Sequence, residues 1–351
     1  MEERISVIIG AKNECPQIVW TIYSIIADLE SFTKNWEIIL VDNISDDQTS
    51  DYLQTRGLVS TGKLKILFQP VAGNVLSRNK GVEVAEGEYV FFCDAHIAIK
   101  PGSFQRMVEA LRQNPTAIVH PAVDWLGSYP EKPCYQYTLC LGEKFWGRWN
   151  RIKISDDPFA IPLCGHCCLG MRKDLFQKWG GYNPYFRVYG GGENYLNLKW
   201  WLFGGISLSV PQAVVWHSRF KRGYAFHSDD LIHNMMVAAY AIGGEKWSER
   251  ILITYLNKEG TRPEMVFKLY NEALEEGRAD REFILANQKM TFQELLDNPP
   301  WDTWNDKVHG WHKSYILTFQ DWVQNLKRPE AIQFYNNSQF QKEDMISVNT
   351  K

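Results

Sequence analysis

The sequence lacks any apolar run long enough to span a lipid bilayer. No stretch of its 351 residues approaches the roughly 18 consecutive apolar side chains of a transmembrane helix. The first residues, Met-Glu-Glu-Arg, lead directly into an apolar segment without the h-region of a signal peptide. From these two absences we expect no membrane span and a location in the cytoplasm.

The chain also lacks an excess of charge of either sign. Lys and Arg number 38 against 41 Asp and Glu, which gives a formal net charge of −3. Global charge therefore gives no reason to expect a polyanionic partner, although a local basic patch is compatible with it. Apolar residues make up 45% and charged residues 23% of the chain, which is typical of a globular protein and excludes a disordered one.

The cysteines lack the pattern of a disulfide framework. Their number, seven, is odd, and Cys15 and Cys93 lie in segments that we expect in the core. This usage favours a reducing compartment. The cluster CGHCC at residues 164–168 has no second pair of Cys or His at zinc-finger spacing, so we do not expect a structural zinc ion there.

What the first half of the chain does contain is a regular alternation of two patterns. Short runs rich in β-branched residues, typical of buried strands, lie at residues 5–10, 36–41, 64–68, 88–93 and 117–123. Segments whose apolar residues recur at helical spacing separate these runs. Pro16, Asn74 and Pro101 stand where helices are predicted to begin. This alternation predicts an α/β fold with a Rossmann-like, mostly parallel central sheet.

Beyond residue 244 the apolar spacing is helical. The segments with this spacing are residues 249–256, 263–275 and 292–296. We therefore divide the chain into an α/β domain at residues 1–243 and a helical C-terminal extension at residues 244–351.

Polar residues follow several of the predicted strands. They are Lys12, Asn13, Glu14, Asp42, Asn43, Asp94 and His96. In doubly wound sheets, ligands bind outside the carboxyl ends of the strands. A nucleotide site needs polar groups from several strand ends, so the sequence predicts such a site here.

Asp94-Ala95-His96 ends the strand at residues 88–93. Alternate residues of a strand point to the same face, so the carboxylate and the imidazole are expected to project together as two ligands for one divalent cation. Mixed oxygen and nitrogen ligation suits Mn²⁺ better than Mg²⁺. The alternative is a core histidine beside a surface aspartate.

Longer motifs follow one another along the chain. The segments ISVIIGAKNE and EIILVDN resemble the uridine-binding half of family-2-type glycosyltransferases, and GNVLSRNKGVEVAEGEYVFFCDAH resembles the donor-binding segment of GT-A glycosyltransferases. The later segments are similar in order and spacing to the polypeptide N-acetylgalactosaminyltransferases, which also have D-x-H in place of D-x-D. These segments are CGHCCLGMRKDLF, WGGYNPYFRVYGGGEN and LSVPQAVVWHSRF. The resemblance spans residues 5–240 and implies a GT-A fold.

This resemblance implies a role for each matching residue. It makes His217 the third metal ligand, beside Asp94 and His96, and it places Arg78 near the sugar or the diphosphate. It places Asp42 on the uracil or ribose, within a nucleotide pocket lined by Lys12, Asn13, Glu14 and Asn43. Arg219 and Arg222, with Lys221 between them, are expected to clamp the phosphates. The alternative for these three is a solvated basic loop.

Glu193 follows three glycines and begins a predicted helix. By resemblance its carboxylate binds the acceptor hydroxyl or the donor sugar, and Asn194 also matches the family. The alternative is an acidic residue favoured by the helix dipole. Asn197 stands where the family has a second Glu. Because of this difference, the resemblance does not extend to the family's exact recognition of the sugar or the acceptor. The resemblance also implies a retaining transfer, in which the leaving phosphate takes the acceptor proton.

We interpret the chain as a metal-dependent glycosyltransferase that moves a sugar from a UDP-linked donor to an acceptor hydroxyl, with Mn²⁺ or Mg²⁺. The acceptor is a glycan, a lipid-linked sugar or a protein. Residues 144–153 interleave cations with aromatic residues, which leaves open a nucleic-acid acceptor, namely a hydroxymethylated base modified by a viral enzyme. A non-catalytic nucleotide-sugar-binding protein is a second alternative.

Overall fold

The structure is a computed structural model that describes residues 3–51, 57, 59–141, 145–219, 224–301 and 323–338. Among these residues, no helix has both the length and the apolar character that a membrane span requires. The described residues fall into two compact units.

The first unit consists of residues 1–138, 149–184 and 204–226 and contains the central sheet. Its main elements are β1 (Ile5–Ala11), α1 (Gln17–Glu30), β2 (Trp36–Asp42), β3 (Leu64–Phe68), α2 (Asn74–Val84), β4 (Tyr89–Asp94), β5 (Ile97–Ile99), α3 (Ser103–Gln113) and β6 (Ala117–Trp125). Strands β7 (Gln136–Cys140) and β8 (Trp146–Asn150) follow, of which residues 136–138 and 149–150 belong to this unit. The unit then contains β9 (Phe159–Ala160), β10 (Cys168–Arg172), α4 (Lys173–Lys178) and β11 (Ile206–His217). Strands β7 and β8 form a separate two-stranded sheet.

Within the described residues, the central sheet has nine strands in the order β3-β2-β1-β4-β10-β6-β11-β5, with β9 beside β11. The pairs β1–β2, β2–β3, β1–β4 and β6–β11 are parallel. Strand β10 is antiparallel to both of its neighbours, β4 and β6. The predicted α/β fold with a mostly parallel central sheet is confirmed.

Apolar spacing explains how the helices of this unit pack on the sheet. Ile18, Ile22, Ile25 and Leu29 recur along one face of α1 and are fully buried in the core beneath β1 and β2. Every residue of β2 is buried, as expected for a parallel strand covered on both faces.

The apolar runs at residues 163–171, 206–210 and 213–217 predict three further strands, and the structure differs from these predictions at two points. The predicted strand at residues 163–171 begins only at Cys168. The two strands predicted at 206–210 and 213–217 form the single strand β11, whose register with β6 shifts between Val210 and Val214. Pro211 lies inside this irregularity, where its missing N–H does not break a regular ladder.

The second unit consists of residues 139–148, 185–203 and 227–351. Its helices are α5 (Gly192–Leu202), α6 (Ser228–Gly243), α7 (Glu245–Leu256), α8 (Pro263–Asn287), α9 (Phe292–Asp297) and α10 (Pro329–Asn337). Helix α6 packs against both α7 and α8. Helix α8 continues well beyond the predicted end at residue 275. The division of the chain between residues 243 and 244 stays a prediction.

Candidate active site

Parallel pairing aligns the carboxyl ends of three strands. In the register of the sheet, Ala11 of β1 lies opposite Asp42 of β2, and Gly10 lies opposite Asp94 of β4. The polar residues predicted after these strands therefore lie along one edge of the sheet, where α/β proteins bind ligands.

Asp94, His96 and His217 form a cluster at this edge. Each offers one ligand atom, and the three atoms lie within 4.8 Å of one another. Nε2 of His217 is 3.4 Å from Oδ2 of Asp94, and the centroids of the two imidazole rings are 4.8 Å apart. All three side chains are half-buried, so the cluster is accessible to solvent and to a ligand.

Strand pairing brings His217 to the other two residues. Strand β11 runs antiparallel to β5 with His217 opposite Ile97, and the Ser218 N–H donates to the His96 carbonyl at 3.0 Å. Asp94 is the last residue of β4, whereas His96 lies in the turn before β5. Asp94 and His96 therefore do not lie close together because of side-chain alternation along one strand, as the sequence predicted. Their proximity depends on the turn at residues 95–96.

Hydrogen bonds orient both imidazoles. Nδ1 of His96 lies 3.1 Å from both carboxylate oxygens of Glu14, and Nδ1 of His217 lies 2.7 Å from the Ser218 carbonyl. Both partners are acceptors, so Nδ1 carries the hydrogen in each ring and Nε2 is the nitrogen that can ligate a metal. Imidazoles that bind metals are commonly held in this way. Glu14, expected in the nucleotide pocket, lies against His96.

The carboxylate of Asp94 is kept ionised by its surroundings. Burial acts to raise the pKa of Asp94, but the imidazoles of His217 and His96 and the guanidinium of Arg78 together hold that pKa below its usual value. An ionised carboxylate beside two oriented imidazoles can bind a divalent cation.

Arg78 supplies a buried cation beside the cluster. It lies on α2 and is 1% exposed, and its Nη2 is 3.5 Å from Oδ1 of Asp94. Arg219 is exposed and lies over the ring of Trp125 at 5.1 Å, and the same ring contacts His217 at a centroid distance of 5.5 Å. Lys221 and Arg222 lie outside the described residues.

The residues predicted to line the nucleotide pocket also shape its loops. Oδ1 of Asp42 accepts from the Ser45 N–H at 2.9 Å. The Asn43 amide donates to the Val71 carbonyl at 2.9 Å and accepts from the Gly73 N–H at 2.9 Å. These contacts hold the segment before α2.

The loop after β1 carries the other predicted pocket residues. Asn13 has a left-handed φ of 55° and accepts from the Asp46 N–H at 2.9 Å. Lys12 beside it is half-buried. The loop after β1 is thus tied to the loop after β2.

Glu193, Asn194 and Asn197 belong to the second unit. Glu193 lies in the first turn of α5, where an acidic residue is favoured by the helix dipole. A Cβ atom at Gly191, which has a φ of +77°, would lie 2.7 Å from the Asn234 carbonyl oxygen, so only glycine fits this close approach. The Asn197 amide donates to the Glu193 carbonyl at 2.8 Å, and Asn194 is 2% exposed.

One residue that the sequence did not assign to the site contacts it. His166, within CGHCC, lies 2.7 Å from Arg78. The sequence marked His166 in one way: it is the histidine in the cysteine cluster at residues 164–168, which we examined as a zinc motif. The neighbouring Cys164, Cys167 and Cys168 are buried. Burial raises the thiol pKa of Cys164 and Cys167, and the contact with Cys93 together with burial raises that of Cys168.

Comparison with known proteins assigns residues 6–180 to a family. Residues 6–180 match the family model described as "Glycosyl transferase family 2". The fold is similar to that in the "Crystal structure of GalNAc-T7 with UDP, GalNAc and Mn2+", with a TM-score of 0.63 and 18% identity over 79% of this chain and 57% of that one. Residues 6–180 are a glycosyl transferase family 2 domain, and the chain has the GT-A fold.

Its relatives are named as N-acetylgalactosaminyltransferases. Polypeptide N-acetylgalactosaminyltransferase 5 of Caenorhabditis elegans is 29% identical over 235 residues, which are 62% of this chain and 37% of that protein. N-acetylgalactosaminyltransferase 7 of Drosophila melanogaster is 27% identical over 235 residues, 61% of this chain and 39% of that protein. The chain spans less than half the length of these two relatives.

Proposed function

We propose that this chain transfers a sugar from a UDP-linked donor to an acceptor hydroxyl, with Mn²⁺ held by Asp94, His96 and His217. The observation that carries this proposal is the convergence of one carboxylate and two imidazoles, with ligand atoms within 4.8 Å of one another, at the carboxyl edge of a GT-A sheet.

The donor set fits a divalent transition metal. Glu14 and the Ser218 carbonyl hold the imidazoles so that each presents Nε2. One oxygen and two nitrogen ligands favour Mn²⁺ over Mg²⁺, which prefers an all-oxygen shell. When bound, the cation neutralises charge on the departing diphosphate.

The chain's own residues supply the remaining parts of a donor site. The guanidinium of Arg78 lies 3.5 Å from Asp94 and adds positive charge beside the proposed diphosphate site. Asp42 lies two strands away at the same edge, which supports the proposal that it binds the ribose or uracil. Arg219 adds an exposed cation near His217.

The acceptor that we favour is a hydroxyl on a glycan or a protein. The relatives named above act, by their names, as N-acetylgalactosaminyltransferases, one of them on polypeptides. For a nucleic acid, the aromatic residues at 144–153 would have to stack on bases. Instead, Phe145 is 2% exposed, and the Trp149 ring packs against Tyr137 and His120.

We further propose that the configuration at the anomeric carbon is retained. A retaining enzyme of this kind needs no carboxylate base behind the anomeric carbon, because the leaving phosphate takes the acceptor proton. Glu193 then hydrogen-bonds the acceptor hydroxyl or the donor sugar rather than removing a proton.

The experiment that tests the proposal is hydrolysis of a panel of nucleotide sugars by the purified chain, with Mn²⁺ and with a chelator. Release of UDP from one donor, abolished by the chelator, supports the proposal and identifies the sugar. If no donor is hydrolysed and the chain does not bind UDP with Mn²⁺, the proposal is wrong, and the non-catalytic alternative is also excluded.

A further inference from the structure

His166 presents two acceptors to one guanidinium. Its Nδ1 lies 2.7 Å from Nη1 of Arg78, and its own carbonyl oxygen accepts from Nη2 at 2.7 Å. The guanidinium also lies over the ring of Phe92 at 5.6 Å. Each terminal nitrogen of Arg78 therefore has a 2.7 Å contact with the same residue, His166.

This arrangement requires one protonation state of the imidazole. A guanidinium is always protonated and only donates, so Nδ1 of His166 is an acceptor without a hydrogen and Nε2 carries the ring's hydrogen. Nε2 lies 3.4 Å from the hydroxyl oxygen of Tyr182, a residue that is 1% exposed. Burial and the adjacent Arg78 both lower the pKa of His166 well below its usual value, in agreement with a neutral ring.

The contact of Arg78 with Asp94 is too long to orient the guanidinium. Its Nη2 is 3.5 Å from the carboxylate, against 2.7 Å for each contact with His166. Arg78 is 1% exposed, so bulk water does not compensate for a missing partner. The two contacts with His166 are shorter than those of Arg78 with Asp94 and with the Tyr182 hydroxyl, both 3.5 Å, and they restrict the direction of the guanidinium.

We propose that His166 is a positioning residue for the donor diphosphate, acting through Arg78. It clamps the guanidinium beside Asp94 before the nucleotide binds, so that binding does not have to order this side chain. The inference rests on the proposed function, because it assumes that a diphosphate binds next to Asp94.

The first test measures UDP binding by calorimetry in the presence of Mn²⁺. His166→Leu removes the Nδ1 acceptor, whereas His166→Asn places an amide oxygen where it can accept from Arg78. Loss of a hydrogen bond to a charged group predicts an affinity for UDP about 10- to 100-fold weaker in His166→Leu. We expect His166→Asn to recover most of that loss.

His120→Leu is the matched control. His120 is also a fully buried histidine, but its ring nitrogens have no hydrogen-bond partner among the described residues. UDP affinity should be unchanged in this variant. If His166→Leu binds UDP as tightly as the unmodified chain, the positioning role is wrong even though the proposed function stands. If the unmodified chain does not bind UDP, the proposed function itself has failed.

A second test needs no variant. Nitrogen NMR of the unmodified chain with ¹⁵N-labelled histidine, assigned through the backbone resonances of residue 166, reports which ring nitrogen carries the hydrogen. At neutral pH we expect a neutral ring protonated at Nε2. A ring protonated at Nδ1 cannot accept from Arg78 and overturns the inference, whether or not the chain transfers a sugar.

Discussion

Both carboxylate oxygens of Glu14 lie 3.1 Å from Nδ1 of His96, although the two residues are 82 positions apart in the sequence. Glu14 is 8% exposed, so its charge is little screened by water. The carboxylate orients the imidazole and increases its basicity at Nε2. This pair links the loop after β1 to the metal cluster.

Glu14→Ala should weaken Mn²⁺ binding about 10- to 100-fold, the usual cost of losing a residue that orients a metal ligand. Glu14→Gln keeps an acceptor for His96 but removes the charge, so we expect a smaller loss. Titration of Mn²⁺ in the presence of UDP, followed by calorimetry, measures both. Glu131→Gln, which alters an exposed carboxylate paired with Lys100, is the control. An unchanged affinity in Glu14→Ala would show that Glu14 does not support the metal site.

Asp94→Asn and His217→Ala should each lower the rate of metal-dependent sugar transfer by at least about 100-fold, because each removes a metal ligand. Both side chains are half-buried at the ends of strands, so the thermal unfolding midpoint should change little. Release of UDP and thermal unfolding are measured on the same preparations. Activity retained in either variant would remove that residue from the metal site.

The product of the transfer should keep the anomeric configuration of the donor. The physical reason is that the leaving phosphate can take the acceptor proton on the face from which it departs. Proton NMR of the product formed in the first minutes distinguishes the two anomers. An inverted product would require a carboxylate base and would contradict the retaining mechanism.

Asn234→Ala should destabilise the second unit. The side chain of Asn234 accepts from the Arg187 N–H at 2.8 Å and donates to the carbonyls of Arg187, Tyr189 and Gly190 at 3.0–3.1 Å. Loss of these buried hydrogen bonds should lower the free energy of unfolding by about 2 to 4 kcal/mol.

Chemical denaturation of this variant is compared with that of Asn287→Ala. The native Asn287 side chain is exposed and donates to the Phe283 carbonyl. Equal stability of the two variants would mean that Asn234 does not hold the turn before Glu193.

Lys199 should make stability depend on pH in the alkaline range. Burial lowers the pKa of Lys199 to about 8. Its unfolded pKa is near 10.4. Between these values the unfolded chain binds more protons, so the stability of the native state relative to a Lys199→Met variant should rise with pH, by about 2 kcal/mol from pH 8 to pH 10.

Well below pH 8, at about pH 6, the lysine is protonated in both states and the difference should be constant. Parallel urea titrations of the unmodified chain and Lys199→Met at several pH values measure the difference. If the difference in the free energy of unfolding between the two proteins does not change with pH, Lys199 is charged in the folded chain. In the folded chain Lys199 donates to the Tyr195 hydroxyl at 2.9 Å, and that hydroxyl donates to Asp280 at 2.7 Å.

Local patterns were sufficient for the long elements of the sheet. Strands β1, β2 and β4 lie within one residue of their predicted positions, because each is a short continuous apolar run that ends at polar residues. Helix α2 begins at Asn74, the residue predicted as its start signal. The short strands β5 and β9 have three and two residues, too few to show a period, and they were not predicted. Their existence depends on pairing with β11.

The sequence by itself determined the α/β alternation, the family resemblance and the candidate ligands Asp94, His96 and His217. Tertiary structure decided which polar groups face one another: Glu14 with His96, and His166 with Arg78. These pairs are 82 and 88 residues apart. No local period encodes such contacts, because they form only when non-neighbouring strands are set side by side in one register. The same sheet register aligns His217 with the D-x-H turn and so completes the cluster.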